Sequence, residues 1–260
     1  MGKFEKKINL VFENVSSYGD YDYSYVKQHS TNTCDDNEII SDIRELDFLI
    51  LLLTDFYTNI ISDKSRGNYI ELGKLMLIRE YINDVKAIRE IAHLQLENQV
   101  ISLARNFMER TLVVVLAVYD DKFCNELFLN SNKLTEKERY YHLFRPKKII
   151  SRIKSLSQII PFSDGGLWDE TYSFFSKFVH NDVLMWLNYY EEDHKYNLSL
   201  SPCMSKYFKN RMQYIIQAII FSAASIMLKY INIKSNYDIC RLLSAYMQAT
   251  IDTDYKKTPV

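Results

Sequence analysis

Apolar residues recur along most of this chain at the spacing of a buried helical face, and little interrupts them. No glycine or proline occurs between Gly73 and Pro146, between Gly166 and Pro202, or between Pro202 and Pro259. Glycine and proline disfavour a helix interior by about 1 and 3 kcal/mol per residue, so such tracts suit helices. A β protein of this length would need many turn signals, and the dense Asn-Gly and Asp-Gly punctuation of hairpins is missing. The pattern predicts an all-α protein, a single-domain helical bundle.

Asp35 and Asp36 can cap a helix running from about Asn37 to Asp63, where "KSRGN" breaks the chain. A second helix runs from near Tyr69 to about His93, and "LQLENQ" holds a bend. The next, from about Glu97 to Val118, is apolar on most faces, which predicts a central position in the bundle. "DDKFCNELFLNS" reads as a short helix or turn. Leu134 to Leu156 is amphipathic and kinked or broken at Pro146, and "PFSDGG" is a loop. Helices follow from Leu167 to about Tyr190, from Ser205 to about Ile233 and from Tyr237 to about Thr250. The bundle thus spans residues 37–251, with a fraying tail at 252–260. Residues 1–36 read as an irregular, tyrosine-rich arm in which "KINLVFENV" forms a short strand or docks as an arm. There is no internal repeat and no low-complexity linker.

Composition sharpens this in three ways. With 260 residues and a hydrophobic fraction of 47%, the chain is globular rather than disordered. Its net charge of −1 supplies no global field for nucleic acid or an anionic membrane, so any basic binding surface must be local. The cysteines Cys34, Cys124, Cys203 and Cys240 lie far apart, without the close pairs of a metal site or the density of a disulfide scaffold. Free thiols in a reducing cytoplasm are the expectation. "MGKFEKKINLVFENV" lacks the apolar run of a signal peptide. Leu46–Ile61 is too short to span a bilayer, and Gln217, Ser222, Ser225 and Lys229 interrupt Tyr214–Ile231, so both read as core helices with no membrane role.

Two polar clusters stand out against the apolar background. In "LARNFMER", Arg105 and Glu109 sit at i, i+4, within ion-pair reach and among Ala104, Phe107, Met108, Leu112 and Val113. Buried charges are costly unless well paired, so this is either a salt bridge fixing helix packing or an anion-binding arginine oriented by a glutamate. In "FSKFVHND", Ser176, Lys177, His180, Asn181 and Asp182 crowd beside two phenylalanines and a valine. His180 is the side chain best suited to proton transfer near neutral pH. It is either an acid/base or a histidine that caps a neighbour or lines the core. Ser176 lies one turn before it, but without the GxSxG of a nucleophile elbow.

An Arg/Glu pair in a long apolar helix, followed by Asp120-Asp121 and then by "SKFVH", resembles a broad family of uncharacterised bacterial all-helical proteins. That family lies near the HEPN superfamily and is associated with anti-phage and toxin systems. The resemblance covers roughly Tyr69 to Tyr190. It implies a homodimer that cleaves RNA without a metal or other cofactor, since HEPN ribonucleases use an Arg-x4-6-His motif on one helix. This chain departs from that motif: Lys177 is the nearest base to His180, and Arg89 and His93 in "REIAH" are one residue too close. The resemblance therefore implies Arg105, Glu109, Lys177 and His180 as a composite catalytic set, with Arg105 supplying the cation from another helix.

"KLTEKERYYHLFRPKKIISRIK" adds a local charge feature. Lys133, Lys137, Arg139, Arg145, Lys147, Lys148, Arg152 and Lys154 face only Glu136 and Glu138, with Tyr140, Tyr141, His142 and Phe144 interleaved. Cations attract phosphate and aromatics stack on bases, so Lys133, Lys137, Arg139, Arg145, Lys147, Lys148 and Arg152 are candidate RNA contacts. The alternative is a solvated helix face whose aromatics point inward. The five histidines are dispersed and no HExxH, P-loop or Rossmann glycine pattern occurs, so no metal and no nucleotide cofactor is expected. Two functions follow: a HEPN-like defence or toxin ribonuclease, or a non-catalytic helical module that senses or binds a protein partner, with Arg105, Glu109 and His180 as a buried polar lock.

Overall fold

The computed structural model describes residues 3–14, 37–64, 68–130, 133–156, 172–173, 175–177, 206–233 and 236–254. Among these residues the protein is an all-α bundle with no strand. Its helices are α1 (Lys3–Asn14), α2 (Asn37–Lys64), α3 (Tyr69–His93), α4 (Glu97–Tyr119), α5 (Asp121–Asn125), α6 (Glu136–Arg139), α7 (Pro146–Ser155), α8 (Lys206–Leu228) and α9 (Tyr237–Asp254). Short π-helical turns extend α5 over Glu126–Asn130 and α6 over Tyr140–Phe144. Residues 172, 173 and 175–177 are helical as well.

Local chemistry sets the boundaries. The Asn68 side chain accepts hydrogen bonds from the Ile70 and Glu71 amides and starts α3. The chain reverses after α3 at Gln95, which takes a left-handed φ of 56°. Asp120 accepts from the Phe123 amide and starts α5 immediately after α4. Pro146 occupies the first turn of α7, where its missing N–H costs nothing, and forces Arg145 into an extended conformation.

α4 is the central helix: every residue from Thr111 to Val118 is buried. It packs against α3, α7 and α8, while α2 closes the other side of α3 and α8. Polar contacts mark each crossing. The Tyr81 hydroxyl of α3 donates to the Ile219 carbonyl of α8 at 3.0 Å and pairs with Ser222 at 2.7 Å. Tyr119 of α4 donates to the Ser225 carbonyl at 2.6 Å. Arg89 grips Asp47 of α2 through two bonds of 2.7 and 3.1 Å.

The N-terminal segment departs from the sequence reading. Lys3–Asn14 is helical, neither strand nor irregular, and it docks, as the arm alternative expected, on α2 and α9. Phe4, Ile8 and Val11 are buried there, and the Phe4 ring lies 6.0 Å from Phe48 and 6.4 Å from Tyr246. Lys7 is carried inward with them and meets Glu45 at 2.8 Å, both side chains fully buried. Next to that pair, Asp42 accepts a hydrogen bond from the Gln213 amide of α8. Burial, and then the Glu45 charge, push Asp42 up to about 8, against the opposing pull of Lys3, Gln213 and Lys7. At the other end, helical structure reaches Asp254, past the expected limit near Thr250.

Candidate nucleic-acid interface and adjoining polar site

The basic stretch folds into a ridge whose aromatics point outward. Thr135 and Glu138 form a reciprocal capping box that starts α6. The π turn that follows directs Leu143 into the core and leaves Tyr140, Tyr141 and Phe144 at 54%, 41% and 41% exposure. Tyr140 stands edge-on to Tyr141 at 5.7 Å, and the Arg145 guanidinium lies 5.6 Å from the Tyr141 ring centre. In α7, Ile149 and Ile153 anchor the helix while Lys147, Lys148 and Lys154 face solvent. Lys133 and Lys137 are exposed on the approach to the same ridge. The inward-pointing alternative therefore does not hold for these aromatic rings.

Arg152 does not belong to that surface. Its guanidinium bonds Asp120 at 2.7 Å and Glu126 at 3.2 Å and lies 4.9 Å from the Phe123 ring centre. It clamps α7 to α5. Burial works against the Asp120 carboxylate, but the Phe123 amide and Arg152 outweigh it and hold it below the usual carboxylate range.

Arg105 and Glu109 pair at 3.2 Å, and Arg105 is only 19% exposed. A third group joins them: the Tyr172 hydroxyl donates to Glu109 Oε1 at 2.7 Å. Burial, then the Glu109 carboxylate, raise the Tyr172 pKa, and the Arg105 and Ser176 side chains oppose that rise. Phe175 is fully buried and fixes the same short helical stretch. The structure thus brings Arg105, Glu109, Tyr172 and Ser176 together. Lys177 is exposed, and His180 lies outside the described residues. Tyr172 escaped the sequence reading; its one signal is its position a helical turn ahead of Ser176.

A cleft of about 1030 Å³ joins ridge and polar site. It opens between α3, α4 and the two π turns, with Leu77, Val113 and Phe128 on its apolar walls. Glu109 stands at one side and Arg139, Tyr140 and Phe144 at the other. Gly73 shapes this wall, because a Cβ there would lie 2.7 Å from the Phe128 ring. Gly73→Ala is expected to push Phe128 off its seat and to cost about 1–3 kcal/mol, despite alanine's better helix propensity. A melting curve checks this, and a variant more stable than the wild type would refute it.

The two thiols among the described residues offer no alternative chemistry. Burial pushes both Cys124 and Cys240 up to about 11, well away from the thiolate range at neutral pH. Among the described residues there is no group of three His, Cys, Asp or Glu side chains placed to hold a metal ion, and no helix long and apolar enough to cross a membrane. No family model matches the chain, and no curated protein or solved structure is significantly similar to it.

Proposed function

We propose that this protein is a HEPN-like helical RNA-binding protein that engages RNA through the α6–α7 ridge. The observation that carries the reading is the outward display of Tyr140, Tyr141 and Phe144 among Lys137, Arg145, Lys147 and Lys148. Exposed aromatic rings next to cations suit a ligand that is both anionic and planar, since phosphates take the cations and bases stack on the rings. In this reading the RNA backbone runs along the ridge toward Glu109 and Arg105. Cleavage, where it occurs, uses His180 as acid/base, with Arg105 stabilising phosphate charge and Lys177 close to His180 in sequence. The family resemblance adds the setting, a defence or toxin system, and a homodimeric assembly.

A second reading rests on the Tyr172–Glu109–Arg105 network. Each member already bonds another, so the network is suited to pinning Tyr172 to α4 as a polar lock in a non-catalytic module that binds a protein partner.

The Lys147→Glu/Lys148→Glu variant tests the first reading. Both residues are exposed, so the fold is expected to survive. RNA affinity at low salt is expected to drop at least about tenfold, and the slope of log affinity against log salt to shrink by about 1–2. Unchanged affinity and slope would reduce the ridge to a solvated face.

A further inference from the structure

The cleft beside the ridge contains an arginine with nothing to bond. Among the described residues, Arg139 is half-buried and its guanidinium makes no hydrogen bond, ion pair or ring contact. The other arginines of the described residues that are buried or half-buried are engaged: Arg89 with Asp47, Arg105 with Glu109, Arg152 with Asp120 and Glu126, and Arg44 as well. A guanidinium held partly out of water without an acceptor is ready to take an anion. Across the cleft, Asn106 of α4 also lines the space and has no hydrogen-bond partner among the described residues. Its amide carries donors and an acceptor, the set that reads a base edge. Apolar side chains and the rings of Phe128 and Phe144 line the same space, together with Glu80, Glu109, Arg110 and Glu136. A volume of about 1030 Å³ is at the upper end of what small-ligand sites offer, which is enough for a nucleotide with its phosphate.

We infer that this cleft takes an unpaired nucleotide of the bound RNA strand, with its phosphate on Arg139, its base against Phe128 and Phe144, and its edge read by Asn106. The inference deepens the RNA-binding reading and rests on it. It makes the preferred ligand a single strand with a base free to leave its stack. A paired base cannot enter, since it would have to break its pairing first. It also gives direction to the ridge. Tyr140 and Phe144 line the cleft and are exposed on the ridge, so a strand lying on the ridge can drop one base inward without lifting off.

The test uses the full chain, a six-nucleotide single-stranded RNA carrying 2-aminopurine, and a blunt RNA duplex of mixed sequence, both read by fluorescence. The expected result has three parts. The wild type binds the single strand about tenfold or more tightly than the duplex. The 2-aminopurine signal changes on binding. Arg139→Met and Asn106→Ala each weaken the single strand by about three- to tenfold and leave the duplex unchanged. Arg139→Met keeps the apolar stem and the Thr135–Glu138 cap, and Asn106 is exposed, so neither change attacks the core. Equal binding of strand and duplex, with both variants matching the wild type, would overturn the cleft and leave the ridge reading standing. No measurable affinity for either RNA at low salt would overturn both.

Discussion

Lys7→Met is expected to destabilise the protein by about 3–5 kcal/mol, because it breaks an ion pair whose two side chains are both out of water. A methionine fits the path of the lysine stem, so little packing is lost. What is lost is the cation facing Glu45, whose second oxygen already lacks a partner among the described residues. For a chain of this size the melting temperature should drop by roughly 10 °C. Lys7→Met/Glu45→Leu should recover most of that loss, since an apolar pair of similar volume removes the desolvation cost along with the attraction. A single variant that melts with the wild type would mean that α1 does not dock through this pair. Asp42 supplies a companion measurement. Its folded pKa of about 8 lies above its ordinary 3.8, so the folded state holds the proton more tightly. That contribution is complete below the lower value and is lost as pH rises through the upper one. Stability should therefore fall across this window by up to about 1.4 kcal/mol per pH unit, and Asp42→Asn should flatten the slope.

His180→Ala separates the two functional readings. Loss of a proton-transfer group lowers a catalysed rate by on the order of 100-fold or more, so the ribonuclease reading expects RNA cleavage to vanish from a protein that still melts normally. The polar-lock reading expects the opposite pairing. The melting temperature should drop, because a buried partner left unsatisfied costs roughly 1–3 kcal/mol, and no cleavage should be seen even in the wild type. Both quantities should be measured on the same preparation. Glu109→Gln calibrates the comparison. It removes the charge that Arg105 pairs with while retaining an oxygen for the Tyr172 hydroxyl. A folded Glu109→Gln protein that cleaves as well as the wild type would exclude Glu109 from the chemistry.

Most helices were legible because glycine and proline are rare in them, and α3 runs over the residues its pattern marks, Tyr69–His93, although it carries Gly73. The helix α1 was not. Phe4, Ile8 and Val11 share one helical face, but Lys7 interrupts it, and a lysine among core positions argues against burial. What admits Lys7 is Glu45, 38 residues later, a partner no local window contains. Arg105 and Glu109 could be paired from their spacing alone, whereas Tyr172 reaches Glu109 across 63 residues. The charge of the ridge was visible in the sequence, but the direction of its rings was not. The π turn over Tyr140–Phe144 shifts the register away from the ordinary helical period, so an α-helical wheel misplaces the aromatic side chains. Arg152 counted as a free cation for a similar reason, since Asp120 and Glu126 lie 32 and 26 residues away.

The seat of α1 bears on the order in which the bundle can assemble. α1 rests on α2 and α9, which come from opposite ends of the described chain. Phe48 and Tyr246, 4.9 Å apart, make the floor on which Phe4 sits. During synthesis α1 precedes α9 by more than 200 residues, so half of its floor is missing until α9 follows. Until then Lys7 has every reason to stay in water and Phe48 has no lid. Closing that contact is a long-range event of the kind that slows folding and leaves apolar surface open while it waits. α3, α4 and the ridge carried on α5–α7 can consolidate from nearer neighbours before α9 arrives. The α5–α7 ridge would then be in place while the seat of α1 is still open.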